Sequence, residues 1–225
     1  MELWHVLNRG VEKRNIFMSE KDYVRFVHDL YEFNDTKPAN NTSYFLAATY
    51  NDVGRRYMGK DERDRLIDLH GWCLMRNHYH LLLSGRRDGG ITSFLRKLNG
   101  GYTKYVNEKY KRSGVLFQGK TKKKLIKNDG HFLHILHYIH LNPLDYLKGA
   151  SGWRAHNVSN GETALEYLDS YRWSSYPDYC ATPNFPSLIE KTLFGDVFKD
   201  YKKEIAHYLR DISPQRPKAP DVTLE

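Results

Sequence analysis

Short apolar runs along the chain predict a small number of strands. Three of these runs cover residues 3–8, 66–75 and 77–84. Residues 114–127, GVLFQGKTKKKLIK, have the pattern of a hairpin whose second strand is rich in lysine. We therefore expect a sheet in which neighbouring strands run antiparallel.

Apolar residues at intervals of three and four predict the helices. One helix begins after Ser19, a residue type that caps helices, and another covers 91–106. A third helix covers 128–142 and ends before Pro143, because the residue before a proline is pushed out of the helical region. A last helix is expected over 194–209.

The order of these elements predicts the α+β class, with an antiparallel sheet and helices packed on one face. We assign residues 1–150 to a core, which a polar insertion interrupts at 34–63. Residues 151–212 form a mostly helical C-terminal extension packed on that core. Residues 213–225 contain three prolines and are predicted to be a disordered tail.

Positive charge is concentrated in one part of the chain. The formal net charge is +8, and residues 96–127 hold eleven Lys and Arg against one acid. Such a cluster is typical of a surface that binds a polyanion, here a nucleic acid. No apolar run approaches the roughly 20 residues of a membrane span, and two cysteines make no disulfide framework. We expect a cytoplasmic, nucleoid-associated protein without a membrane partner.

Two histidines open the third predicted strand, in the segment MRNHYHLLL. Side chains alternate across a strand, so His78 and His80 share one face and Tyr79 lies on the other. Two imidazoles about 7 Å apart on one face can converge on one metal ion. A pair of structural histidines explains the same pattern, so the segment alone leaves both interpretations open.

A second group of polar residues lies on the helix before Pro143. At about 100° per residue, one helix face carries four of them: His131, His134, Tyr138 and Asn142. Apolar residues occupy another face, so the helix buries one side and presents a tyrosine beside an amide. Taken alone, this segment favours a partly buried helix with a structural tyrosine.

Together the two segments supply the parts of a phosphodiester cleavage. A divalent ion polarises a non-bridging oxygen, and Tyr138 attacks in line to give a phosphotyrosine and a free 3′-hydroxyl. Two histidines and Asn142 form a neutral ligand set with open positions, which suits Mg²⁺ or Mn²⁺ better than a structural zinc ion.

Five segments resemble the single-tyrosine HUH transposases (His, hydrophobic, His), and most of all their REP-associated branch. They are NRG, CLMRNHYHLLL, FLRKLNGGYTKYVNEKYKRSGVLFQGK, HYIHLNPL and YRWSSYPDY. The resemblance covers about residues 3–33 and 66–180. It implies a ferredoxin-like fold that cleaves and transfers single-stranded DNA next to a hairpin, such as a REP palindrome.

The resemblance also implies roles for residues. The metal ligands would be His78, His80 and Asn142, and the nucleophile would be Tyr138. Two positions depart from the family pattern: Arg76 stands where proline is usual, and Tyr79 stands where an aliphatic residue is usual. We expect Arg76 to contact a phosphate, and we prefer Tyr138 as nucleophile because Tyr79 lies on the other strand face.

Basic residues are predicted to hold the DNA. Phosphate contacts position a strand and base contacts specify it, and we expect Arg9 to help in reading bases. The predicted DNA-binding residues are Arg9, Arg76, Arg96, Lys97, Lys104, Arg112, Lys120, Lys122, Lys123 and Lys124.

Three other interpretations stay open. A domesticated copy would bind DNA hairpins without cutting them, as a repressor or architectural protein. An RNA-binding or RNA-processing protein would use the same basic surface. A zinc protein using Cys73 is the poorest alternative, because no second cysteine lies at ligand spacing. The sequence is compatible with a monomer or a homodimer, and with Tyr138 acting in its own subunit or in a partner.

Overall fold

The structure is a computed structural model that describes residues 1–39, 63–155 and 157–210. Within these ranges four strands form one antiparallel sheet in the order β2-β3-β1-β4. Their bounds are Leu3–Arg9 for β1, Ile67–Met75 for β2, His78–Gly85 for β3 and Lys122–Leu125 for β4. The three apolar runs thus become β1, β2 and β3, as predicted.

The hairpin predicted at 114–127 is wrong in its pairing. β4 pairs with β1, with Lys122 opposite Leu7, and not with the segment before it. That segment instead meets the end of β1, where the Gln118 N–H donates to the Arg9 carbonyl at 2.7 Å. The edge of β1 that β3 leaves open presents a row of backbone donors and acceptors, and β4 satisfies them.

Seven α-helices and four short 3₁₀ turns complete the described part of the chain. The helices are α1 Glu20–Glu32, α2 Gly90–Lys109, α3 Asp129–Leu141, α4 Gly161–Ser170, α5 Tyr176–Tyr179, α6 Thr192–Gly195 and α7 Tyr201–Arg210. The 3₁₀ turns are Val11–Lys13, Asn142–Tyr146, Trp153–Ala155 and Pro186–Leu188. The last predicted helix, 194–209, is divided in the structure, because α6 ends at Gly195 and α7 begins only at Tyr201.

The α+β class is confirmed, but helices on one face is too narrow a description. Helices α1 and α2 cover the face that carries Leu81 and Leu83. Helix α3 and the C-terminal extension cover the face that carries Leu82 and Cys73. Three consecutive leucines in β3 are buried, and an apolar run without alternation is the pattern of a strand that is covered on both faces.

Glycine in β2 brings α3 close to the sheet. A Cβ atom built on Gly71 would lie 2.8 Å from Cδ1 of Leu136, a residue of α3. Any larger residue would therefore push the helix or its leucine away. Asn128 caps the start of α3, since its side-chain oxygen accepts from the His131 N–H at 2.8 Å. The cap and the glycine together fix where α3 lies.

Asn34 ties together the two ends of the predicted insertion. Its side-chain oxygen accepts from the N–H groups of Leu66 and Ile67, each at 3.0 Å, and its amide donates to the Ile67 carbonyl at 3.0 Å. These hydrogen bonds join the segment after α1 directly to the start of β2. Residues 40–62 of the insertion and residues 211–225, which include the predicted tail, lie outside the described residues.

Candidate active site

Histidines from two neighbouring strands meet on the sheet face that α3 covers. The structure brings His78 and His80 together, as alternation predicts, with ring centroids 4.9 Å apart. His5 of β1 joins them, because its Nε2 lies 2.9 Å from Nδ1 of His80. Sequence reasoning missed His5, since one histidine in an apolar strand has no spacing that marks it.

Tyr138 lies against this histidine group. Its ring is 5.8 Å from the rings of both His5 and His80, edge to face, and its side chain is buried. His134 does not join the group, although it shares a helix face with Tyr138 by spacing, and its ring instead contacts Tyr208 of α7.

Tyr79 has a different environment. It lies on the opposite sheet face, completely buried, and its hydroxyl donates to Oδ1 of Asn99 at 2.8 Å. Burial raises the pKa of Tyr79 well above its usual value. These contacts describe a structural tyrosine and are consistent with the preference for Tyr138.

Burial keeps the two β3 histidines neutral. Burial, aided by the positive charges of Arg9 and Arg154, lowers the pKa of His78 to about 3. Burial also lowers the pKa of His80 well below its usual value. Neutral imidazole is the form that binds metal ions, so both side chains are ready to coordinate at ordinary pH.

In both β3 histidines, Nδ1 lies within hydrogen-bonding distance of a neighbouring side chain. Nδ1 of His78 lies 2.6 Å from Oδ1 of Asn77, and Nδ1 of His80 faces His5. When Nδ1 donates, Nε2 carries the lone pair, which is how outer contacts orient histidine ligands. The chemistry of these donors fits a divalent ion.

Asn142, the predicted third ligand, lies buried just after α3. Its amide nitrogen donates to the Tyr138 carbonyl at 2.7 Å, and its Oδ1 accepts from Nη2 of Arg154 at 2.7 Å. Arg154 belongs to the turn Trp153–Ala155 in the extension, and its guanidinium lies 5.5 Å from the centre of the Tyr138 ring. Sequence reasoning missed this arginine because nothing in its own segment marks a contact twelve residues away.

A metal-binding group of the commoner kind is absent from the described residues. Residues 1–39, 63–155 and 157–210 contain no cluster of three or more His, Cys, Asp or Glu side chains able to hold an ion. The predicted ligand set has only two histidines, with the Asn142 amide as its third member, so it is not a cluster of this kind. This also leaves the zinc interpretation of Cys73 without support in this part of the chain.

The lysines of β4 divide between the two sheet faces. Register places Lys124 opposite His5 and Lys122 opposite Leu7, on the histidine face. Lys123 points the other way, with its ammonium 5.9 Å from the centre of the Trp4 ring. Three of the ten predicted DNA-binding residues therefore lie on the histidine face of the sheet: Arg9, Lys122 and Lys124.

The other predicted DNA contacts are spread over the molecule. Arg96, Lys97 and Lys104 belong to α2, across the sheet from the histidines, and Lys97 donates to backbone carbonyls that include that of Lys37, at 3.0 Å. The remaining ones lie in loops and turns: Arg76 above the Tyr146 ring, Arg112 bonded to the Val115 carbonyl, and Lys120 exposed before β4. These residues are not brought to one place.

The fold and the site define a class: an α+β protein with a His–Tyr–His strand beside a tyrosine-bearing helix. A family model described as IS200-like transposase matches residues 41–142. A solved structure of a REP-associated tyrosine transposase bound to a REP hairpin shares the fold, with a TM-score of 0.51 and 14% identity over 82% of each chain. The family match supports, over residues 41–142, the single-tyrosine HUH transposases that the motifs predict, and the structural match supports the fold.

Two further observations concern sequence relatives and membrane spans. No curated protein is significantly similar to it in sequence. Within the described ranges, no helix combines the length and the apolar character needed to cross a bilayer.

Proposed function

We propose that this protein is a metal-dependent endonuclease and strand transferase for single-stranded DNA, acting next to hairpins of the REP type. The observation that carries the proposal is the contact of the Tyr138 ring with the rings of His80 and His5. The IS200-like family supports a transposase activity on single-stranded DNA, and the matched structure of a transposase with a REP hairpin supports the choice of partner.

Tyr138 is the nucleophile in this proposal. Its hydroxyl oxygen attacks the phosphorus and the bond from phosphorus to the 3′ oxygen breaks. The phenolic proton is released, the departing 3′ oxygen takes up a proton, and the 5′ end of the DNA stays on the tyrosine. A second 3′-hydroxyl reverses these steps and completes strand transfer.

His78 and His80 through Nε2, and Asn142 through Oδ1, would hold Mg²⁺ or Mn²⁺. The ion supplies polarisation of a non-bridging phosphate oxygen. The surroundings of Tyr138 serve a different purpose. The side chain is 5% exposed and packs against Trp153, with ring centroids 5.6 Å apart. Exclusion of water protects a phosphotyrosine from hydrolysis until a 3′-hydroxyl arrives.

The experiment is a denaturing gel with single-stranded hairpin DNA labelled at either end, in Mg²⁺, Mn²⁺ or chelator. We expect a metal-dependent covalent band that keeps the label on the 3′ side of the cut. Tyr138→Phe should bind the hairpin on a native gel and form no covalent band. The matched control is Tyr79→Phe, which removes one hydroxyl from the opposite face and should retain the band.

Two outcomes contradict the proposal. A covalent band that survives Tyr138→Phe would remove this tyrosine from the nucleophile role. Tight binding with no covalent band in any metal would make the protein a non-cleaving hairpin-binding protein. A comparison of DNA and RNA hairpins of one sequence tests the RNA interpretation in the same series.

A further inference from the structure

Arg154 links the C-terminal extension to the candidate active site. Its Nη2 donates to Oδ1 of Asn142 at 2.7 Å and its Nη1 donates to Oδ1 of Asp145 at 2.6 Å. The guanidinium also lies over two rings, 4.3 Å from the centre of Trp153 and 5.5 Å from the centre of Tyr138. One side chain thus contacts the predicted nucleophile and the predicted third ligand.

These contacts select one of the two orientations of the Asn142 amide. The amide nitrogen donates to the Tyr138 carbonyl, so the oxygen faces Arg154. In the flipped orientation, the N–H groups of the fully buried Asn142 would face the guanidinium, and its side-chain oxygen would face the Tyr138 carbonyl oxygen. Mismatches of buried polar groups are costly, so the flipped state is disfavoured as long as Arg154 is present.

The selected orientation is the one that a metal ligand requires. Only the oxygen of an amide binds a divalent ion such as Mg²⁺. A carbonyl oxygen has two lone pairs, so Oδ1 can accept from Arg154 and coordinate an ion at the same time.

Arg154 is itself fixed in place. Asp145 balances its charge, and the same carboxylate oxygen accepts from Nε1 of Trp153 at 2.8 Å. A planar guanidinium can contact Asp145 and Asn142 together through different nitrogens, which a single ammonium group does not reproduce. The turn Trp153–Ala155 therefore holds a rigid donor at the edge of the site.

We propose that Arg154 is a positioning residue that orients the Asn142 amide for metal binding, so that the extension is part of the active site. This inference rests on the proposed function, because the orientation of Asn142 has a consequence only if the site binds a divalent ion. Arg154 acts through Asn142, and that dependence can be measured.

The test is calorimetric titration of the full-length protein with Mn²⁺, without DNA. We expect Arg154→Met to weaken Mn²⁺ binding by about 10-fold or more, the usual loss when an outer contact of a ligand is removed. The same change should have no further effect in an Asn142→Ala background. Asn142→Asp gives a second background, because a carboxylate presents oxygen in both orientations and no longer needs to be oriented. Circular dichroism verifies that each variant is folded.

The outcomes separate this inference from the proposed function. An equal loss from Arg154→Met in all backgrounds, an unchanged affinity, or no Mn²⁺ binding by the unsubstituted protein overturns the inference. Loss of binding that depends on Asn142, in a protein that forms no covalent DNA adduct, supports the inference and contradicts the function. A covalent DNA adduct, together with a loss of Mn²⁺ binding that does not depend on Asn142, supports the function and contradicts the inference.

Discussion

The lysines of β4 offer a test of which sheet face the DNA occupies. Lys122 and Lys124 lie on the face that carries His5, and Lys123 lies between them on the other face, near Trp4. These three neighbouring lysines thus differ mainly in the sheet face on which their side chains lie. If DNA lies along the histidine face, exchanging Lys122 and Lys124 for alanine should weaken its electrostatic hold, and exchanging Lys123 should not.

The size of the effect follows from counterion release. Each phosphate neutralised on a single strand contributes about −0.7 to the slope of log affinity against log salt. The double variant Lys122→Ala, Lys124→Ala should therefore make the slope less steep by about 1.4. When the salt is raised from 50 to 200 mM, the parent protein should lose affinity by a factor about sevenfold larger than the double variant does. The variant Lys123→Ala should keep the parent slope.

The assay is fluorescence anisotropy of a labelled hairpin with a single-stranded flank, over a salt series. All proteins carry Tyr138→Phe, so that binding is measured without cleavage. Thermal unfolding verifies that β4 tolerates each change. The reasoning is refuted if Lys123→Ala flattens the slope as much as the double variant does, or if neither variant changes it.

Three further predictions follow from burial and packing. Lowering the pH from 7 to 5 should destabilise the metal-free protein by about 2 kcal/mol for each of His78 and His137, because burial lowers each pKa to about 3 while the unfolded residues take up protons below about pH 6.5. Urea unfolding at both pH values measures this loss, and His137→Phe should remove one share of it. Gly71→Ala should cost about 1–3 kcal/mol and reduce the adduct yield, whereas Gly101→Ala, which meets an aromatic ring at the α1–α2 contact, should cost stability without lowering the yield per folded molecule. His5→Ala should weaken Mn²⁺ binding by about 10- to 100-fold in calorimetry, with His5→Asn in between, and equal affinities would contradict a role for its contact.

Periodicity predicted the residues that share a face of one element. Alternation placed His78 and His80 on the same side of a strand and Tyr79 on the other, and all three lie so. The cap at Asn128 and the proline at 143 set the bounds of α3 nearly to the residue. These features depend on neighbours within a few positions along the chain, which is why the sequence alone shows them.

The elements that cover a face are set by contacts between distant residues. The partner of β4 is β1, more than 100 residues away, and local turn signals favoured the adjacent segment instead. His5 and Arg154 join the site from positions far apart along the chain. Each is marked by a partner, His80 or Asn142, and not by its own segment. The sequence pattern therefore predicts well which face of its element a side chain lies on, and predicts poorly which distant residues it contacts.

Across the sheet, from β3 to β4, burial decreases and positive charge increases, and we expect this gradient to decide how a strand of DNA would reach the proposed site. His80 is completely buried between β2 and β1, whereas Lys122, at the edge strand of the same row, is exposed. A phosphate backbone that approaches from the β4 edge meets the lysines first, and then the neutral histidines and Tyr138. Basic residues of α2, such as Arg96 and Lys104, lie on the other side of the sheet. Their predicted DNA contacts would therefore require the strand to pass around that edge, and Arg96→Ala, Lys104→Ala in the same salt series would show whether it does.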